Sequence, residues 1–365
     1  MQQTWPLDVT VSFDPYFGEP GRDGIQGAEV LPDGKVHFRI IAKDAKEVVI
    51  DRFGTLFPLS PVEDGAWEGT FDMGTGFLYF FLKVDGADVL CPYLPIGYGC
   101  CRPMNFVDVP VADMEGWDDL EGVEHGAVTR RYFYSTVTGK TEICLVWTPP
   151  AYDPAKAYPV LYLQHGYGEN ETGWIYQGHA GRIADRLLAE GKMKEMIIVM
   201  GNGMAKRDNS GPREFALFPE ILVTDLVPYI EKHYRVLTDK WHRAMAGLSM
   251  GGMQTINIGM CECLDLFSAF GVFSAAPTSN NSALVAANIA KFPDMPIRYL
   301  YSICGTEDNV AYASAAQAAK DLPEKTDRLT EANFHWQERK GGHDFNIWNL
   351  GLYNFARVLG AVHED

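Results

Sequence analysis

Hydrophobic and polar positions divide the chain into two regimes. From residue 24 to 112 lie short strand-like runs, Lys35–Ile40, Glu47–Ile50, Trp67–Phe71 and Phe77–Val84, the first of them alternating apolar and polar side chains, punctuated by Asp33-Gly34, Asp64-Gly65 and Asp85-Gly86. A period of two puts one face of such a run in a core and the other in water, and Asp-Gly supplies the backbone freedom that tight turns need. Several such strands with no helical stretch predict a small antiparallel β-sandwich over 24–112, preceded by an extension over 1–23.

This pattern then stops. Met114-Glu115-Gly116-Trp117-Asp118-Asp119-Leu120-Glu121 is acidic and without period, which predicts an exposed linker over 113–128. Beyond it, Arg130–Val137 and Thr141–Thr148 read as paired strands around Thr138-Gly139-Lys140. Strand candidates, most of them apolar runs, follow at Val160–Leu163, Met196–Met200, His242–Ala246, Ala269–Phe273, Tyr299–Cys304 and Phe334–Arg339. Between them lie amphipathic segments at Arg182–Glu190, Ile221–Tyr234, Gly251–Met260, Tyr312–Leu322 and Trp348–Leu359. Strands apolar on both faces, alternating with helices, predict an α/β domain over 129–365: a mostly parallel sheet covered on both sides.

Composition changes this picture little. The 365 residues are 47% hydrophobic and 22% charged, ordinary for a folded protein. Asp and Glu outnumber Lys and Arg by 48 to 31, for a formal charge of −17, which repels phosphate backbones and anionic lipid surfaces and excludes nucleic acid and membrane as partners. The N-terminus has neither a basic nor an apolar leader region, so the chain as it stands reads as cytoplasmic, or as secreted if a leader has been removed. Seven cysteines, an odd number without zinc-site spacing, read as small buried hydrophobes; no metal or other cofactor is expected.

The candidate chemistry lies in the second region. Gly247-Leu248-Ser249-Met250-Gly251 fits a nucleophile elbow, a sharp strand-to-helix turn that exposes a serine hydroxyl and leaves no room for side chains on the flanking glycines. It falls where the apolar run ending at Ala246 meets a helical segment, as in the α/β-hydrolase fold, where an acid and then a histidine follow the serine on later loops. Asp308 stands after the run Tyr299–Cys304, with Glu307 as its rival, and His343 stands in a Gly-Gly-His loop after the last strand. An acyl-transfer site also needs two N–H donors for its oxyanion: the amides of Met250 and of Tyr167, in His165-Gly166-Tyr167-Gly168. His165 reads as a loop brace. Gly166, Trp174 and Trp348, with the Tyr167 ring, are candidate substrate contacts forming a flat apolar slot, and the loop from 202 to 219 borders the site.

Five segments then carry a resemblance: Tyr158–Gly166, Glu171–Trp174, Ala246–Gly252, Cys304–Asp308 and Gly342–Trp348. Over about 158–355 the chain resembles the feruloyl esterase branch of carbohydrate esterase family 1, the esterase D-like hydrolases. The family's serine, aspartate and histidine fall on Ser249, Asp308 and His343. The resemblance implies release of ferulic or related hydroxycinnamic acids, with feruloylated arabinoxylan fragments or small phenolic esters as partners. The first region resembles, more loosely, the family 48 carbohydrate-binding or early-set sandwich.

The same three side chains also serve an acetyl xylan esterase, a siderophore esterase or a thioester hydrolase. A reading from another class is a carbohydrate-binding protein with an inert hydrolase half.

Overall fold

The structure, a computed structural model, describes residues 26–111, 121–208, 217–279 and 281–362. Contacts divide the chain into two units, residues 1–114 and 115–365. The predicted extension and the first half of the predicted linker lie outside the described residues.

The first unit contains β1 (Gly27–Val30), β2 (Val36–Ile41), β3 (Val48–Arg52), β4 (Thr55–Pro58), β5 (Ser60–Pro61), β6 (Ala66–Phe71), β7 (Gly76–Val84), β8 (Ala87–Val89), β9 (Ile96–Gly99) and β10 (Arg102–Val109). They form a sheet ordered β1-β2-β6-β5 and another ordered β4-β3-β7-β10-β9, with β8 beside β7. The alternation is visible in burial: β2 turns Val36, Phe38 and Ile40 inward, and Phe38 meets Phe80 of the other sheet edge-on at 5.5 Å. Cys100 and Cys101 are not buried, contrary to expectation. They form the two-residue turn between β9 and β10, both with positive φ (51° and 62°), as the twist of a tight hairpin requires.

The second unit begins earlier than expected, because β11 (Ala127–Ser135) already pairs with β12 (Lys140–Thr148) at Ala127↔Thr148. β13 (Val160–Gln164), β14 (Ile197–Gly201), β15 (Arg243–Leu248), β16 (Ala269–Phe273), β17 (Tyr299–Gly305) and β18 (Phe334–Arg339) complete an eight-stranded sheet. Its order is β11-β12-β14-β13-β15-β16-β17-β18, antiparallel at β11, β12 and β14 and parallel from β14 onward. The central strands β13 to β16 are buried on both faces, which is why their sequences are apolar without alternation.

Helices cover the faces: α1 (Gly173–Tyr176), α2 (Ala180–Ala189), α3 (Phe218–Ile221), α4 (Val227–His233), α5 (Met250–Gln254), α6 (Ser282–Ile289), α7 (Tyr312–Lys325) and α8 (Phe345–Val362). Two π-helical stretches, Leu222–Leu226 and Thr255–Met260, join α3 to α4 and extend α5. This is the α/β-hydrolase fold, and it brings the loops after β13, β15, β17 and β18 to one edge of the sheet.

Candidate active site

Ser249 stands between the last residue of β15 and the first of α5, with φ 50° and ψ −110°. A non-glycine residue occupies that region only when its surroundings hold it there. Here the Ser249 N–H donates to the Phe273 carbonyl (2.9 Å) and the Ala276 N–H to the Ser249 carbonyl (2.9 Å), tying the turn to β16. The turn has no room for side chains: a Cβ on Gly247 would lie 2.5 Å from the Gly251 carbonyl carbon, and one on Gly251 would lie 2.3 Å from the Gln164 oxygen.

His343 and Asp308 reach this serine from the loops after β18 and β17. His343 Nε2 is 2.9 Å from Ser249 Oγ, and His343 Nδ1 is 2.7 Å from Asp308 Oδ2. Asp308 is buried while His343 keeps some exposure, so the base can be reached from solvent and the acid cannot. Burial alone would raise the Asp308 carboxyl. The bond to His343 and those from the Ala311 and Val310 N–H groups (2.8 and 2.9 Å) outweigh it and hold the group at about 2. An ionised Asp308 can only accept, so Nδ1 carries the imidazole proton and Nε2 presents its lone pair to the serine hydroxyl. Asp308 has a further neighbour that sequence reasoning missed, the Cys304 thiol at 3.5 Å, which burial pushes up to about 12 and so keeps protonated. Glu307, the rival acid, faces solvent 3.8 Å from Lys340.

The loop after β13 lies against the elbow. A Cβ on Gly166 would sit 3.6 Å from Ser249 Cβ and 2.6 Å from Leu248 Cδ1, so only glycine lets this backbone approach. Three interactions fix the loop. His165 Nδ1 donates to the Gly166 carbonyl (2.8 Å) while its Nε2 accepts the Gly203 N–H (3.0 Å), and burial lowers the imidazole to about 4, so it is a neutral brace. The Gly166 N–H donates to Glu169 Oε2 at 2.9 Å. Glu169 was not among the sequence candidates; burial raises its carboxyl to about 7. Met250 opens α5 directly after Ser249, so its N–H has no partner within the helix and is free to serve as the expected oxyanion donor; the other expected donor, the Tyr167 amide, follows Gly166 in the loop that approaches Ser249.

Two of the expected substrate contacts are placed differently from expectation. Trp174 is fully buried; its Nε1–H donates to the Gln164 carbonyl (2.7 Å) and its ring meets Phe273 and Phe345 edge-on. It belongs to the core beneath the loop, because the one-turn α1 aims the indole inward. Trp348 does not start the last helix but lies a turn inside it, since α8 begins at Phe345. Its ring stands edge-on to His343 at 5.0 Å, and its buried Nε1 has no partner among the described residues. Gly166 does border the serine, and the neighbouring Tyr167 is half exposed. Of the loop 202–219, Gly203 is joined to His165 and to Gln254, and 209–216 lie outside the described residues. Among the described residues no group of three His, Cys, Asp or Glu is placed to hold a metal ion.

Comparison with known proteins now bears on this geometry. The Esterase family model matches residues 135–357. An endo-1,4-beta-xylanase/feruloyl esterase from Xylanibacter ruminicola is 33% identical over 346 residues, 90% of this chain and 45% of that protein. Endo-1,4-beta-xylanase Y from Acetivibrio thermocellus is 27% identical over 56% of this chain and 20% of its own length. The chain thus spans less than half the length of these relatives. Among solved structures, a CE1 ferulic acid esterase from Anaeromyces mucronatus, in complex with ferulic acid, superposes with a TM-score of 0.59 at 27% identity, over 66% of this chain and 94% of that one. The enterobactin esterase of Shigella flexneri shares the fold over 91% of this chain and 95% of its own, at TM-score 0.64 and 13% identity. The strand-to-helix elbow, the sheet order and the family match agree: the chain belongs to the Esterase family of carboxylic ester hydrolases.

Proposed function

We propose that the chain is a serine esterase that releases hydroxycinnamic acids, ferulic acid among them, from xylan-derived saccharides or small phenolic esters. The observation that carries the reading is the unbroken line from Ser249 Oγ through the His343 imidazole to Asp308 Oδ2, with spacings of 2.9 and 2.7 Å. The preference for phenolic acids draws support from what the relatives at 33% and 27% identity are named for.

In this reading His343 Nε2 takes the Ser249 proton as Oγ attacks the ester carbonyl, and Asp308 stabilises the resulting imidazolium. The oxyanion is met by the Met250 and Tyr167 amides. Collapse returns the proton to the departing sugar oxygen and leaves the acyl group on Ser249; water, deprotonated by the same imidazole, then frees the acid. Of the aromatic side chains expected to form the flat apolar slot, Trp174 is buried and the exposed Tyr167 ring supplies the surface.

Hydrolysis of methyl ferulate by the wild type and by Ser249→Ala tests the reading. A fall of about a thousandfold or more in kcat/KM supports it; unchanged turnover refutes it. Equal or greater specificity constants on acetate esters would keep the esterase and reject its phenolic preference.

A further inference from the structure

A second cleft lies on the second unit, away from the elbow, between α8 and the strands β17 and β18. Its volume is about 600 Å³ and its lining includes Tyr299, Tyr301, His335, Gln337, Asn354 and Arg357, with Lys192 at its rim. Tyr301 and His335 are register partners, and their rings stack 5.7 Å apart at 8°. Beside this stack the Tyr301 hydroxyl donates to Gln337 Oε1 (2.6 Å), and Asn354 Nδ2 donates to both Tyr301 Oη (3.2 Å) and Gln337 Oε1 (3.0 Å). That network commits Gln337 Oε1 and Asn354 Nδ2 to the protein. Gln337 Nε2 and Asn354 Oδ1 have no protein partner among the described residues, so a fixed donor and acceptor flank the exposed His335 ring, which lies flat on the buried Tyr301.

A flat ring beside a preorganised donor and acceptor suits a sugar: its C–H face stacks and its hydroxyls bond. Charge narrows the class. Lys192 is paired with Glu190 at 2.9 Å, but Arg357, exposed and packed over Tyr353 at 5.4 Å, has no carboxylate partner among the described residues. A guanidinium with no carboxylate partner among the described residues favours a carboxylate at short range, against the repulsion of the chain's net charge of −17. We propose that this cleft binds a uronate-bearing residue of the saccharide chain whose ester Ser249 cleaves; the sugar class, though not the cleft, rests on the function proposed above. β17 and β18 run from Tyr301 and His335 to Gly305 and Arg339 before the loops of Asp308 and His343 begin, roughly 13 Å of strand, so an occupant leaves the serine clear.

Isothermal titration with three probes tests this: xylotriose bearing methylglucuronic acid, plain xylotriose, and ferulate. The acidic probe is expected to bind about tenfold more tightly than plain xylotriose. Arg357→Gln should bring it down to the neutral level, and His335→Ala should weaken both saccharides about tenfold. Both side chains are exposed, and methyl ferulate hydrolysis in both variants should stay within about twofold of wild type, within surface-substitution effects. Equal affinity for the two saccharides, wild-type affinity in the variants, or displacement of the acidic probe by ferulate would overturn the assignment. Wild-type protein that hydrolyses methyl ferulate without binding the acidic probe defeats the cleft alone; binding without hydrolysis defeats the esterase reading alone.

Discussion

The Gly166 N–H donates to Oε2 of Glu169 at 2.9 Å, placing a buried carboxyl directly behind the backbone that faces Ser249. No cation is among the influences on this carboxyl: burial raises it to about 7, and the Gly166 bond only partly offsets that. A carboxyl raised in the folded state favours folding fully below its unfolded value near 4.5 and loses that contribution as pH rises through 7.

Replacing Glu169 with Gln keeps an acceptor for Gly166 and removes the ionisation. The stability of Glu169→Gln relative to wild type should therefore improve between about pH 4.5 and 7 and level off above, by up to about 3 kcal/mol. Urea unfolding at several pH values reads this directly. A difference that stays flat across the interval would show that Glu169 does not ionise there.

Asp308 behaves in the opposite sense. Its carboxyl is held at about 2, so it contributes stability above its unfolded value near 3.8, and that contribution is lost as pH falls through 2. Asp308→Asn should lose about a thousandfold to ten-thousandfold in kcat, because the amide no longer fixes the imidazole proton on Nδ1. It should also lose the acid-side slope in stability. A variant with near wild-type kcat would transfer the acid's role to another group.

Trp174 separates packing from substrate contact. Trp174→Phe removes the donor to the Gln164 carbonyl and leaves space between Phe273 and Phe345, so it should cost about 1 to 3 kcal/mol in denaturant unfolding. KM for methyl ferulate should hardly move. A large rise in KM with unchanged stability would return Trp174 to the substrate slot.

Periodicity made the architecture legible because burial on one face or on two imposes different patterns. β2 alternates and β13 to β16 do not, and both were readable as strands. α6 went unread because Ser282–Ile289 is apolar almost all round, leaving no polar face to mark its turns; its one local sign is Asn281, whose side chain caps the Leu284 N–H at 3.0 Å. At the site, Ser249, Asp308 and His343 were marked by motif and chain order. Glu169 was not, because nothing in a lone Glu reports that folding will bury it, and Cys304 was legible as a buried hydrophobe but not as a neighbour of the Asp308 carboxylate. Trp174 shows the converse: an aromatic side chain in a functional loop carries no sign of which way its backbone will aim it.

The most direct test of the account is to mix enzyme with a feruloyl ester, quench within one turnover and locate the acyl group by peptide mass spectrometry. The account predicts a feruloyl group on the peptide containing Ser249 in wild type, and neither that adduct nor turnover in Ser249→Ala. An acyl group on any other residue, or undiminished hydrolysis by the variant, would contradict it.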